Sequence, residues 1–283
     1  MLAIACAGPA GRLSYTEVAS VAMNERLRYG IYRPPGWDRN EPLPLVVLLH
    51  GAGDDETTAD RRAVTEALDQ AIAAGELPPF VMVTPEGRRG FWVNWYDGSA
   101  RWRDWVIDEV IPDVRRNHPI VEGPEGLHLM GVSMGGGGGM QVWLEEPSRF
   151  ASATILSAPI LDEADTRAFL RRFMPAHALE RVFGPPGSSF GIDPYVALGD
   201  ETSLAGSRLL FGAARNDRGG IKASNRAFHR HLEERGVPHG FVEFSGGHGW
   251  TTWARVFPFV LCVQLDPGCK MAAPAAWTLN LAE

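Results

Sequence analysis

A chain of 283 residues is long enough for one sizeable buried core and short for two, which favours a single domain. Its 27 Lys plus Arg against 34 Asp plus Glu give a formal net charge of −7, and no basic stripe with interleaved aromatics occurs, so nucleic acid is not an expected partner. No uninterrupted apolar stretch reaches the length of a membrane span; the most apolar one, 253–265, reads as a packed terminal helix.

The first residues, Met1-Leu2-Ala3-Ile4-Ala5-Cys6-Ala7-Gly8, look like the end of a bacterial lipoprotein leader without its basic start and most of its apolar run. Two readings stand. A truncated leader puts the protein in the cell envelope or outside the cell, and a disordered start leaves it cytoplasmic. Either way 1–25 is expected to be a flexible segment. From there strand-like and helix-like runs alternate, the pattern of a mostly parallel sheet covered by helices on both faces. Leu27 to Arg33 alternates and stops at Pro34-Pro35-Gly36, which suits an edge strand, whereas Leu45-Val46-Val47-Leu48-Leu49 is apolar throughout and suits a central one. A helix over 57–74 follows, closed by Gly75, and Phe80-Val81-Met82-Val83 makes the next strand. An aromatic loop, 90–98, leads to a helix over 102–116, in which Pro112 kinks the axis unless the turn before it adjusts.

Leu127-His128-Leu129-Met130 reads as an apolar strand that enters Gly131-Val132-Ser133-Met134-Gly135, and a helix leaves it. That is the setting of a nucleophile elbow, a sharp turn on which a serine hydroxyl stands exposed. The plain alternative is a Gly-rich connection that lets a helix pack close to a sheet. Further strands are expected at 153–157, 208–213 and 240–244, the last fed by a helix over 222–235. Between 159 and 206 the alternation lapses into one helix, 164–183, and a loop, an insertion able to act as a lid or substrate wall. Residues 26–265 then form the main domain and 266–283 a tail. Cys262 and Cys269 are close enough to bridge if the chain turns at Asp266-Pro267-Gly268, and two reduced thiols are the equal alternative.

Serine is a poor nucleophile at its own pKa, so Ser133 needs a base and a group to orient that base. Asp217 lies just past the strand 208–213, and His248 lies just past the last strand in Ser245-Gly246-Gly247-His248-Gly249-Trp250. The order Ser, Asp, His suits the nucleophile-elbow arrangement. Donors for a tetrahedral oxyanion are expected from the backbone N–H of Met134 and of Ala52, in His50-Gly51-Ala52-Gly53, with Gly53 as runner-up. Trp92, Trp95 and Tyr96, with Phe91, form the densest aromatic cluster; they either wall a substrate or seal a loop against the core. Asp54 and Asp55 either bind a polar substrate or cap the following helix, with capping the simpler role. No metal-ligand spacing and no phosphate-binding glycine fingerprint occurs, so neither metal nor cofactor is expected.

With these residues in order, the chain resembles the α/β-hydrolase superfamily, and within it the putative-esterase branch of esterase D-like enzymes, feruloyl esterases and antigen 85 mycolyltransferases. The resemblance rests on His50-Gly51-Ala52, 131–136, the strand ending in Asp217 and Gly246-Gly247-His248-Gly249-Trp250 with Trp253, and it spans about 26–260. Trp95-Tyr96-Asp97, Phe183-Gly184 and Asp193-Pro194 are also similar. Two features depart from the branch: Gly249 replaces an aspartate after the histidine, and glycines at 136–139 replace larger residues. The resemblance implies an α/β-hydrolase fold with a small lid-like insertion and a serine carboxylic ester hydrolase acting on a small-molecule ester. Acyl transfer to a sugar or alcohol is the alternative within enzymes, and a non-catalytic binding domain the alternative outside them.

Overall fold

Five-residue apolar strands can bury both faces only inside a sheet with helices on each side, and the computed structural model is built this way. It describes residues 12–188, 191–273 and 277–280, so Cys6 lies outside the described residues. The strands are β1 (Arg12–Ser20), β2 (Glu25–Arg33), β3 (Leu45–Leu49), β4 (Val81–Pro85), β5 (Leu127–Val132), β6 (Ser152–Leu156), β7 (Arg208–Asn216), β8 (Gly240–Gly247) and β9 (Thr278–Asn280). They lie in the order β1-β2-β4-β3-β5-β6-β7-β8-β9. The six strands from β4 to β8 run parallel, and β1, β2 and β9 are antiparallel to their neighbours.

Because side chains alternate along a strand, each strand feeds two cores. Leu45, Val47 and Leu49 of β3 join Trp105, Trp143 and Phe228 on one face. Val46 and Leu48 join Leu68, Phe257 and Val260 on the other. The first core belongs to the helices Met134–Glu145 and Ile221–Glu234 and to the helical run over 102–117, the second to the helices Val64–Ala73 and Trp250–Leu265.

Several expectations are corrected here. Residues 12–20, expected to be part of a flexible start, form β1 and pair along their whole length with β2, so β2 is not the edge strand. Residues 278–280, expected in a tail, cover the free side of β8 as β9. The helix expected over 57–74 is broken at Ala63, whose φ of 56° is left-handed, giving Thr58–Arg61 and Val64–Ala73. The single helix expected over 164–183 is likewise two, Glu163–Leu170 and Ala176–Phe183, because Pro175 cannot continue a helix but serves to start one. Pro112 is absorbed as its chemistry requires: the turn before it, Trp105–Val110, widens into a π-helix, which relieves the missing N–H and the ring clash. Cys262 and Cys269, left open by the sequence, are disulfide-bonded with Cα atoms 5.6 Å apart. Among the described residues no helix is long and apolar enough to cross a membrane.

The strand order reverses between β3, whose chain continues to β4, and β5, whose chain continues to β6. In open α/β sheets such a switch point leaves a crevice beyond the carboxyl ends of the strands. His50 and Ser133 leave those two strand ends side by side, since Leu49 pairs with Gly131. Close approach of the elbow helix to the sheet depends on bare glycine: a Cβ on Gly135 would stand 2.0 Å from the Leu49 carbonyl oxygen, and one on Gly131 would stand 2.1 Å from that of Gly135. Since backbone cannot swing aside as a side-chain tip can, Gly135→Ala should destabilise the fold by about 3 kcal/mol or more. An unfolding free energy from urea titration within about 1 kcal/mol of the parent's would contradict that packing.

Candidate active site

Ser133 sits between β5 and the helix Met134–Glu145 with φ 56° and ψ −118°, a conformation that a non-glycine residue adopts only under constraint. Its own N–H is tied to the Leu156 carbonyl of β6 at 2.9 Å, and its carbonyl accepts the N–H of Gly137 at 3.0 Å, the first turn of the helix. Backbone groups are thereby satisfied on both sides, and the side chain stands clear of the sheet.

Asp217 and His248 follow β7 and β8 at the same edge. A register shift between Ala214 and Asn216 re-aims the end of β7, and Asp217 turns back so that its N–H meets the Ala214 carbonyl at 3.0 Å. His248 Nδ1 lies 2.7 Å from Asp217 Oδ1. Its Nε2 lies 2.9 Å from Ser133 Oγ. A carboxylate only accepts, so Nδ1–H donates to Asp217 and the lone pair on Nε2 accepts the serine hydroxyl in the neutral imidazole. The Asp217 side chain is fully buried and that of His248 is 8% exposed. Burial pushes the Asp217 carboxyl up, but hydrogen bonds from His248 and Ser157, the charge of His248 and the Arg218 N–H outweigh it, leaving the group below the ordinary range.

Opposite the serine, the turn Gly51–Asp54 closes with the Asp54 N–H on the Gly51 carbonyl at 3.2 Å. His50 fastens this turn from below. The Gly87 N–H donates to its Nε2 at 3.1 Å, so Nδ1 carries the proton and donates to the Gly51 carbonyl at 2.9 Å. Burial keeps this imidazole below its usual pKa, against weaker upward pulls from the Gly51 carbonyl and from Asp54, Asp55 and Glu56. Ala52 and Met134 both face the cleft beside Ser133. The Met134 N–H opens the elbow helix, where backbone donors have no intrahelical acceptor and the helix dipole favours negative charge.

The cleft has a volume of about 630 Å³ and reaches from Ser133 and His248 to the insertion, whose Ile160, Phe169, Val182 and Phe183 line it. Of the aromatic residues singled out in the sequence, Trp95 and Phe91 line the cleft, but Trp92 and Tyr96 do not. Trp92 is wholly buried: its ring packs edge-on against His50, its Nε1 donates to the His50 carbonyl at 3.2 Å, and a Cβ on Gly87 would collide with it. It buttresses the turn from within the core. Tyr96 is 61% exposed, on the outer side of the loop. Asp55 accepts from Thr57 and Thr58 at the helix start, and Asp54 accepts the Trp250 Nε1–H at 2.9 Å.

The sequence profile of the family described as Putative esterase matches residues 20–186, more than half the chain. The chain belongs to that family. Among curated relatives it is 24% identical over 225 residues to Esterase Rv1288 of Mycobacterium tuberculosis, covering 72% of this chain and 48% of that one. It is 23% identical over 225 residues to an acetyl esterase of Caldicellulosiruptor saccharolyticus, covering 76% and 81%. The chain thus spans about half the length of the mycobacterial esterase it matches. Two solved structures share its fold, each with a TM-score of 0.75. A ferulic acid esterase is 19% identical over 89% of this chain and 97% of that one. The Staphylococcus aureus fluorophosphonate-binding serine hydrolase FphF is 20% identical over 91% and 100%. The sheet is therefore that of an α/β hydrolase.

In this family member one residue around the triad escaped the sequence reading. Ser157 ends β6 with a φ of 51°, its N–H on the Gly212 carbonyl at 2.7 Å, and its hydroxyl reaches Asp217. Trp253 in turn donates to the Ser157 hydroxyl at 3.0 Å and packs edge-on against the His248 ring. The only sequence signal for it was its place at a strand end. An acid held below its ordinary pKa contributes stability that is complete above the unfolded value of about 3.9 and lost as the pH falls through the lower folded value. Ser157→Ala should raise the folded value of Asp217 and cost about 1–2 kcal/mol at pH 7. Because the gap between folded and unfolded pKa narrows, the deficit should shrink below about pH 4. Urea midpoints at a series of pH values check this, and a deficit independent of pH would contradict it.

Proposed function

We propose that this protein is a serine esterase that cleaves carboxylic esters through an acyl-Ser133 intermediate. The observation that carries the reading is the unbroken chain Ser133 Oγ, His248 Nε2, His248 Nδ1, Asp217 Oδ1, at 2.9 and 2.7 Å, opening into an apolar cleft. The names of the relatives, esterases and a serine hydrolase, support the same class.

His248 Nε2 takes the hydroxyl proton as Ser133 Oγ adds to the ester carbonyl, and the buried Asp217 carboxylate stabilises the imidazolium that forms. The new alkoxide oxygen is held by the N–H groups of Ala52 and Met134. One comes from a turn braced by His50 and one from a helix N-terminus, so neither must reorganise as charge develops. Collapse expels the alcohol, which takes its proton from His248 Nε2. Water, deprotonated by the same nitrogen, then adds to the acyl group and releases the acid with Ser133 restored.

Ser133→Ala removes the nucleophile without touching the backbone bonds that shape the elbow. Its kcat on p-nitrophenyl acetate should fall by roughly 10⁴ or more with an unchanged circular-dichroism spectrum. His248→Ala should cost a similar factor, and the double variant little more, because the two groups act as one unit. Turnover by Ser133→Ala at the parent's rate would refute the reading.

A further inference from the structure

The run of glycines at 135–139 holds one residue, Gly137, at which a Cβ would meet no neighbour at all. Gly135, Gly136 and Gly138 are confined by neighbours at 2.0, 2.8 and 2.3 Å from a built Cβ: the Leu49 oxygen, the Ala158 Cβ and the Phe91 oxygen. Gly139 is buried against the core, where a Cβ would make ordinary contacts from 3.5 Å. Gly137 differs from all four. A Cβ there would meet nothing within 4 Å, its φ is not left-handed, and it lines the cleft. Glycine inside a helix is less stable than alanine, so a helix-forming residue would be expected at such a position on conformational grounds.

Its place on the helix suggests what occupies the space. Ser133, Gly137 and Gln141 are the partly exposed residues of the first two turns, four apart on one face, and all three line the cleft. This stripe spans about 12 Å at the rise of an α-helix. At its far end both polar atoms of the Gln141 amide are used: Nε2 donates to the Ile192 carbonyl at 2.9 Å and Oε1 accepts the Ile192 N–H at 2.7 Å. Phe91 and Phe183, which line the same cleft, form an edge-to-face pair 5.3 Å apart. Of the charged side chains lining the cleft, Arg89, Glu163, Arg181 and Arg218 are exposed, and the half-buried Asp193 accepts the Tyr195 N–H at 2.8 Å.

We propose that Gly137 is a specificity-determining residue: its missing side chain leaves a groove from Ser133 to Gln141 that takes an extended apolar chain of the ester. The proposal rests on the esterase reading and deepens it to a substrate class. Apolar occupancy follows from the floor and walls, since the polar groups at the groove's end, the Gln141 amide and the Asp193 carboxylate, are already bonded to backbone of the insertion. A chain lying there displaces water from Phe91, Phe183 and the bare helix backbone, and each buried methylene adds to binding.

The test measures kcat/KM for two series of esters of two to eight carbons, with the chain in the acyl part (p-nitrophenyl acetate to octanoate) or in the alcohol (ethyl to octyl acetate). In the parent, one series should rise by roughly threefold per methylene. Gly137→Leu, which fills the groove, should lower the octanoyl-to-acetyl or octyl-to-ethyl ratio in that series by about tenfold or more. Gly137→Ala should lower it less and raise the melting temperature, which separates groove filling from misfolding. A flat profile in both series, or a Gly137→Leu profile parallel to the parent's, would overturn the groove. Labelling of Ser133 by a small dialkyl fluorophosphonate reports on the esterase reading by itself. Labelling with a flat chain profile removes the groove and leaves the esterase, whereas a parent protein that resists labelling removes the esterase and the groove with it.

Discussion

The architecture of the site depends on one backbone constraint, the left-handed conformation of Ser133 where β5 becomes a helix. A residue held there costs roughly 1–3 kcal/mol, which the surrounding packing must offset. The packing does so by contact between main chains: Gly131 against Gly135, and Gly135 against the end of β3. Neither contact tolerates a methyl group, so the elbow is determined from both sides. The strain is also local. Of nine non-glycine residues with positive φ among the described residues, Phe91, Trp92, Ser133 and Ser157 lie around this site. Such clustering is characteristic of sites where a fold stores strain in order to present a group.

Given that turn, the rest of the site follows from the parallel sheet. Loops after β3, β5, β7 and β8 all emerge at the same edge, and the reversal of strand order between β3 and β5 opens the crevice in which they meet. Each loop adds a different physical element: a backbone N–H on a braced turn, a serine hydroxyl, a buried carboxylate and an imidazole. Burial pushes the Asp217 carboxyl up, and hydrogen bonds from His248, Ser157 and the Arg218 N–H bring it below the ordinary range. His50 keeps its proton on Nδ1 because the Gly87 N–H already occupies the other nitrogen.

Residues whose chemistry has few uses were legible in the sequence. Ser133, Asp217 and His248 could be named because their strands are short apolar runs and their order along the chain is diagnostic of the arrangement. The aromatic loop was harder, since tryptophan serves a wall and a core equally well. Only tertiary packing separates Trp95, which borders the cleft, from the buried Trp92. The edge strands β1 and β9 were missed for a related reason: half-exposed strands carry mixed polar and apolar residues, and their identity comes from the partner they pair with. Ser157 showed only its place at a strand end, because a single hydroxyl gains its meaning from the carboxylate that folding brings to it.

The central claim is that the strained serine carries a covalent bond to the acyl group during turnover, and acid quenching within the first turnover tests it most directly. Peptide mass mapping after mixing with p-nitrophenyl acetate should find one acetyl group on the peptide containing Ser133, in step with a burst of p-nitrophenol. Turnover with no covalent adduct, or an adduct on a different residue, would contradict the account.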